Sequence, residues 1–212
     1  MAQRLTRNER KERTRAEIVA AARRVFLRRG FHEASLEEIT EEAGYTKGAV
    51  YSNFQGKDDL FLAVLDEHVD QRARAQAQVA LDADTLEASF RAVARDLVQA
   101  ARQDPDWAPL LLEFWTHASR REPLRQQALR RRERMLDAIV AILDQLAARH
   151  HVTFRIPARE LARGASALAR GMQLDRLLDP TAFPVELFEE LFLTHVMGLT
   201  VDTPALGERS ES

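Results

Sequence analysis

The sequence predicts an all-α protein, with an N-terminal three-helix helix-turn-helix domain and a larger C-terminal helical domain, about nine helices in all. Three observations carry that reading. Among 212 residues only eight are Gly and seven Pro, while the helix formers Ala, Leu, Arg and Glu are abundant. Period-two alternation is missing and β-branched residues rarely cluster, so there is almost no strand signal. Apolar residues recur instead at helical spacing between Gly and Pro punctuation.

Taken in order, helix 1 runs from about Thr14 to Arg29 and buries Ile18, Ala22, Val25 and Phe26. Gly30 supplies a left-handed exit and Phe31 the apolar residue that follows it. Helix 2 opens on Ser35-Leu36-Glu37-Glu38, a capping box, buries Leu36, Ile39 and Ala43, and ends at Gly44. Thr46 caps helix 3, which carries Val50, Tyr51 and Phe54 and stops before Gly56. Helix 4 starts near Lys57, with Asp58 and Asp59 against its positive end. Ending near Ala80, it is ~36 Å long at ~1.5 Å per residue. The remaining helices are predicted at Thr85–Arg102, Trp107–Arg120, Leu124–His150, Ala158–Leu178 and Val185–Leu199, with Pro105, Pro123, Pro157 and Pro184 at the junctions. The polar ends, Met1–Arg13 and about Thr203–Ser212, are predicted mobile. No internal repeat is present.

Composition narrows the function classes. A 45% hydrophobic content suffices for a core, and no apolar run reaches the ~18 residues of a membrane span. Met1-Ala2-Gln3-Arg4 leads into charged residues, unlike a secretory leader. Without cysteine there is neither disulfide nor thiolate metal site, and the chain reads as a soluble cytoplasmic protein. The net charge of −2 conceals a split. Residues 1–29 carry ten Lys/Arg against three Glu, whereas 58–212 carry 19 basic and 25 acidic groups. Clustered cations favour a phosphate backbone through counterion release; a solvated basic face accounts for the same count.

Residues 35–57 form the constellation that points to chemistry. Two short capped helices flank Ala43-Gly44-Tyr45-Thr46, with glycine where the backbone reverses, which is the arithmetic of a helix-turn-helix. Helix 3 opens on small residues, Thr46, Lys47, Gly48 and Ala49, which let its positive end approach a phosphate or a base edge. Lys47 is either a phosphate or guanine contact or a solvated charge. Tyr51 either reaches phosphate or is a core aromatic with a wet hydroxyl. Ser52 and Asn53 add hydrogen-bonding groups, and an Asn amide can pair with adenine for ~1–3 kcal/mol of discrimination.

The stretch from Leu36 through Ala43-Gly44-Tyr45-Thr46-Lys47-Gly48-Ala49-Val50-Tyr51-Ser52-Asn53-Phe54 to Leu60 closely resembles the signature of TetR-type transcriptional regulators. Ala22-Arg23-Arg24-Val25-Phe26 and Gly30-Phe31 are similar to that family's first helix and its exit. The resemblance implies that Lys47 and Tyr51 meet phosphate or groove and that Lys57 holds phosphate. It also places Thr46, Ala49, Ser52 and Asn53 on the DNA side, and Ser35 and Gly48 complete the predicted set. Tyr45 departs from the small aliphatic more usual there, and Ser52-Asn53 falls in the most variable part of the motif. The implied organisation is a DNA-binding domain over 1–57 with a basic arm at 1–13, a ligand-binding and dimerisation domain over 58–202, and a tail at 203–212.

In the second domain Glu113 and His117 share a helix face, either as polar groups of an apolar pocket or as an exposed pair. Trp107, Leu111, Phe114 and Trp115 on the same helix, with Met172 and Gln173 on a later one, complete the candidate ligand-binding set. Arg130-Arg131-Arg132-Glu133-Arg134 reads as a solvated face rather than a second nucleic-acid site. By resemblance the last two helices pair with their copies, with Leu161, Ala165, Leu168, Phe188, Leu191, Phe192 and His195 as the candidate dimer interface. No Gly-rich phosphate loop, His-Glu-x-x-His or nucleophile elbow is present, so no enzyme, cofactor or metal is predicted. The expected function is a ligand-responsive regulator, a homodimeric repressor released from a palindromic operator in double-stranded DNA by a small, largely apolar effector. The alternatives are a helical small-molecule-binding protein with a vestigial helix-turn-helix, or a helical enzyme using Glu113 and His117.

Overall fold

The computed structural model describes residues 6–181 and 184–202. Among them are nine helices, α1 (Arg7–Glu33), α2 (Leu36–Ala43), α3 (Lys47–Asn53), α4 (Lys57–Leu81), α5 (Leu86–Gln103), α6 (Trp107–Ser119), α7 (Glu122–His150), α8 (Ala158–Leu178) and α9 (Val185–Met197). Two three-residue strands, β1 (Val152–Phe154) and β2 (Thr200–Asp202), pair antiparallel with Thr153 opposite Val201.

Two expectations change. Residues 7–13, predicted mobile, are the first turns of α1. The Glu9 amide donates to the Thr6 hydroxyl at 3.2 Å and the Glu9 carboxylate accepts from the Thr6 amide at 2.6 Å. This is the capping-box signal that also predicts α2, and it moves the start of α1 toward the N-terminus. Residues 1–5 of the predicted arm and the tail at 203–212 lie outside the described residues. The strands are the second change: three residues are too few for alternation to register, although Val152, Thr153, Thr200 and Val201 are all β-branched.

By their packing the described residues form two units. One comprises residues 6–72 and 104–133; the other comprises 73–103 and 134–202, so that α4 and α7 contribute to both. In the first unit Phe26, Phe31, Phe61 and Phe114 are fully buried and make one aromatic cluster. Phe61 stacks on Phe114 at 4.4 Å between ring centroids, and Phe31 stands edge-on to both at 5.3 Å. In that unit Arg131, from the arginine run, donates to the Leu62 carbonyl and the Asp66 carboxylate. It therefore joins α7 to α4 rather than standing in solvent.

In the second unit α5 packs along α9, and α9 against α8. Its core includes Phe90, Leu136, Leu146, Leu161, Phe188 and Phe192. The buried Glu189 carboxylate accepts from Arg95 at 2.6 Å, with Arg91 at 3.5 Å, so its charge is paired. Here the predicted dimer set divides. Leu161, Phe188 and Phe192 are 0, 0 and 4% exposed within their own chain, because the inner edge of a broad apolar stripe is spent on the unit's own core. Leu191 is 40% exposed, and Ala165, Leu168 and His195 are intermediate. Leu174, Leu177, Leu178 and Leu187, outside the predicted set, are exposed beside them in sequence.

Candidate nucleic-acid interface

The α2–α3 turn is closed by its own sequence. Gly44 takes the left-handed conformation (φ 70°, ψ 24°), and its N–H caps the carbonyls of Thr40 and Glu41. Thr46 then starts α3, its hydroxyl accepting from the Ala49 amide at 3.2 Å. Tyr45, the departure from the family pattern, donates its hydroxyl to Glu17, which also accepts from Arg13 at 2.8 Å. A tyrosine there ties the turn to α1, which a small aliphatic cannot do.

The exposed start of α3 presents Thr46, Lys47 and Gly48, with Tyr51 and Ser52 one turn on, and Ala49 is intermediate. Tyr51 is 55% exposed, which favours the solvent-facing of its two readings over the core aromatic. A Cβ built on Gly48 would meet nothing nearer than the Thr46 hydroxyl at 3.9 Å, so the backbone there is open to approach. Four predicted residues hydrogen-bond within the protein, and of these Ser52 stays exposed. The Asn53 amide nitrogen donates to the Ala49 carbonyl at 2.8 Å, and its Oδ1 is buried without a hydrogen-bond partner, so the side chain is turned onto its own helix. Ser35 accepts from the Glu38 amide and serves as the α2 cap. Ser52 donates to the Ala49 carbonyl at 2.9 Å. The Lys57 ammonium donates to the His32 and Ala34 carbonyls at 3.0 and 3.1 Å and lies over the Phe31 ring. Burial lowers its pKa, and it holds the α1–α2 connection together instead of standing free for phosphate.

The basic surplus of α1 is largely spent inside the unit. Arg24 and Arg28 pair with Glu42, and Arg28 and Arg29 with Glu38; Arg23 pairs with Asp104. Glu38 thus serves these cations rather than completing the predicted capping box with Ser35. Lys47 itself lies 3.1 Å from Glu37. Counting charges along the chain could not show this, since the glutamates that neutralise α1 sit on α2.

A family model described as bacterial regulatory proteins, tetR family, matches residues 18–64. A second, described as BetI-type transcriptional repressor, C-terminal, matches residues 86–201. This chain belongs to the TetR family. It is 28% identical to the HTH-type transcriptional regulator YfiR of Bacillus subtilis strain 168, over 65% of this chain and 67% of that one. It is 26% identical to the HTH-type transcriptional regulator BetI of Brucella canis, over 79% and 82%. The structure of FadR from Bacillus subtilis, determined in complex with stearoyl-CoA, shares the fold at a TM-score of 0.66 and 17% identity, covering 86% of this chain and 98% of FadR. As a TetR-family member the protein is a DNA-binding transcriptional regulator, and among the described residues no helix is long and apolar enough to cross a membrane.

In this TetR-family chain α6 grips the exit of α1. The Glu113 carboxylate accepts from the Phe31 and His32 amides at 2.9 and 3.2 Å, where the helix breaks at Gly30, whose φ 78° and ψ 171° are extended rather than the expected left-handed exit. His117 contacts Asp58 at 3.0 Å and stands against the Phe31 ring. Neither reading of this pair as pocket groups or as an exposed i,i+4 pair describes what it does. The carboxylate serves backbone donors that a kinked helix leaves without partners. Trp107, Leu111, Glu113, Phe114, Trp115 and His117 lie in the first unit, and Met172 and Gln173 in the second. A different cavity, of about 40 Å³, lies in the second unit among Gln76, Phe90, Ile139, Leu143, Leu161 and Phe192, and none of the eight lines it.

Sequence reading missed His68. Its ring stacks on Trp107 at 3.7 Å, and burial, aided by Arg23 and Arg72, pushes its pKa down to about 3. Unfolded histidine titrates near ~6.5, so on acidification the unfolded chain takes up a proton that the native one refuses. The stability present above that pH should fall as pH drops toward about 3, at up to ~1.4 kcal/mol per pH unit from this group. Urea titrations from about pH 7 to about pH 5 should show a shallower acid slope in His68→Gln. Identical slopes would assign the acid sensitivity to other groups.

Proposed function

We propose that the protein is a homodimeric cytoplasmic repressor that seats α3 of each copy in adjacent major grooves of a palindromic operator and is released by a small, largely apolar effector. The observation that carries this reading is the start of α3, where Thr46, Lys47, Gly48 and Tyr51 are exposed around a helix N-terminus. Its positive end and its small side chains suit close approach to phosphate and base edges. Lys47 and Tyr51 hold the backbone, and Thr46, Ala49 and Ser52 face the groove. Asn53 bonds within α3, and Lys57 holds the α1–α2 connection.

Dimerisation is supported by the leucines that the second unit leaves open on α8 and α9, Leu174, Leu177, Leu187 and Leu191. Two recognition helices about one helical turn apart require such a partner. Effector binding is supported by the apolar cavity in the second unit, which at about 40 Å³ must widen to admit more than a water-sized group. An effector favouring the widened state ~100-fold weakens DNA binding by at most ~2.7 kcal/mol. α4 and α7 carry residues of both units and are the elements along which that preference passes.

The test begins with selection of an operator from random duplexes. Binding should saturate at two chains per site, with log affinity falling linearly and steeply against log salt. A flat salt response, or saturation at one chain, rules the reading out.

A further inference from the structure

Lys47 already has an anion before any DNA arrives. Its ammonium lies 3.1 Å from a carboxylate oxygen of Glu37, with the two side chains 63 and 56% exposed. Glu37 stands in the first turn of α2 and Lys47 in the first turn of α3, so the pair bridges the two helices of the motif at its exposed surface. The other carboxylates of α2 are used differently. Glu38 and Glu42 are about half as exposed and face the arginines of α1, holding α1 to α2. Of the ion pairs described above, Glu37–Lys47 is the one that reaches the recognition helix. The ammonium holds its neighbour's carboxyl below the ordinary glutamate range, so the anion persists at physiological pH.

A phosphate that approaches Lys47 competes with this carboxylate, and after displacing it still has a negative charge a few ångströms away. We propose that Glu37 is an internal competitor of the DNA backbone for Lys47, a residue that sets the absolute affinity of the regulator for duplex DNA without contributing to base preference. Because the phosphate contact is common to every sequence, the competition subtracts equally from operator and random DNA. The proposal rests on the reading that Lys47 meets DNA, and the variants are chosen to separate the two.

Fluorescence anisotropy of the full-length protein with a labelled random-sequence duplex measures the effect. Glu37→Gln and Glu37→Ala should both tighten binding by about two- to fivefold, the range an exposed ion pair supports. The ratio of operator to random affinity should stay unchanged. Lys47→Ala should weaken binding, and in that background Glu37→Gln should change nothing further. Glu41→Gln, which removes a charge one turn along the same helix, should have a smaller effect than Glu37→Gln. Equal tightening by Glu41→Gln, or tightening by Glu37→Gln that survives in the Lys47→Ala background, means general charge repulsion and overturns the proposal. Weakened binding in Lys47→Ala with no gain in either Glu37 variant overturns it while leaving the interface reading intact. No effect of Lys47→Ala removes both. Melting curves by circular dichroism establish that each variant is folded, and the paired Gln and Ala replacements guard against a local effect on α2.

Discussion

Phe31→Ala is expected to lose about 3–5 kcal/mol of unfolding free energy, the usual range for a fully buried phenylalanine. Phe31 is 0% exposed, and its ring meets Phe26, Phe61, Phe114 and His117, residues of α1, α4 and α6. It also lies under the Lys57 ammonium, 4.9 Å from its ring centroid. Truncation removes the apolar transfer energy, leaves a cavity among rings packed edge-on and stacked, and takes away one face of a partly desolvated cation. Domains unfold at about 5–15 kcal/mol, so this one change removes a large part of the stability and the DNA binding with it. Phe31→Leu, which fills most of the space, should lose well under half as much. Urea unfolding monitored by circular dichroism separates the cases, and a loss under about 1 kcal/mol in Phe31→Ala would show that the cluster does not hold the unit together.

The second large effect is expected one residue earlier. Gly30 breaks α1 at φ 78°, ψ 171°, an extended positive-φ region essentially reserved for glycine that costs other residues about 1–3 kcal/mol. A Cβ there would stand 2.7 and 3.0 Å from the two Glu113 carboxylate oxygens. Gly30→Ala therefore strains the backbone and pushes Glu113 off the Phe31 and His32 amides, which leaves the part-buried Phe31 donor without a partner at ~1–3 kcal/mol. The total should come to about 2–6 kcal/mol, with operator binding falling because α2 starts only a few residues beyond the break. Glu113→Ala alone should lose the hydrogen-bond part. Since both changes break the same contact, the double variant should lose clearly less than the sum of the singles. Additive losses would show that Gly30 acts through its backbone conformation alone.

Glu113 also shows how far the one-dimensional reading reached. Its spacing from His117 correctly put both on one face of α6, but nothing in α6 indicates that the face meets the end of α1, eighty-odd residues away in sequence. Lys57 and Asn53 carry the same lesson. Each is the residue type that a DNA contact calls for, at the motif position where one is expected, and each donates instead to a backbone carbonyl of its own unit. The apolar stripe of α9 is legible in the sequence, but only the packing of α5 along α9 determines that Phe188 and Phe192 lie inside their own chain while Leu191 lies outside.

What the sequence determined by itself is local. The caps at Ser35 and Thr46, the left-handed turn at Gly44 and the resulting helix-turn-helix all follow from side chains acting within one or two turns of their own backbone. What the tertiary structure alone decided is which polar groups remain unclaimed. A charge or an amide is available to DNA only if no distant backbone or side chain has satisfied it first, and folding gathers those competitors from helices that the sequence keeps far apart.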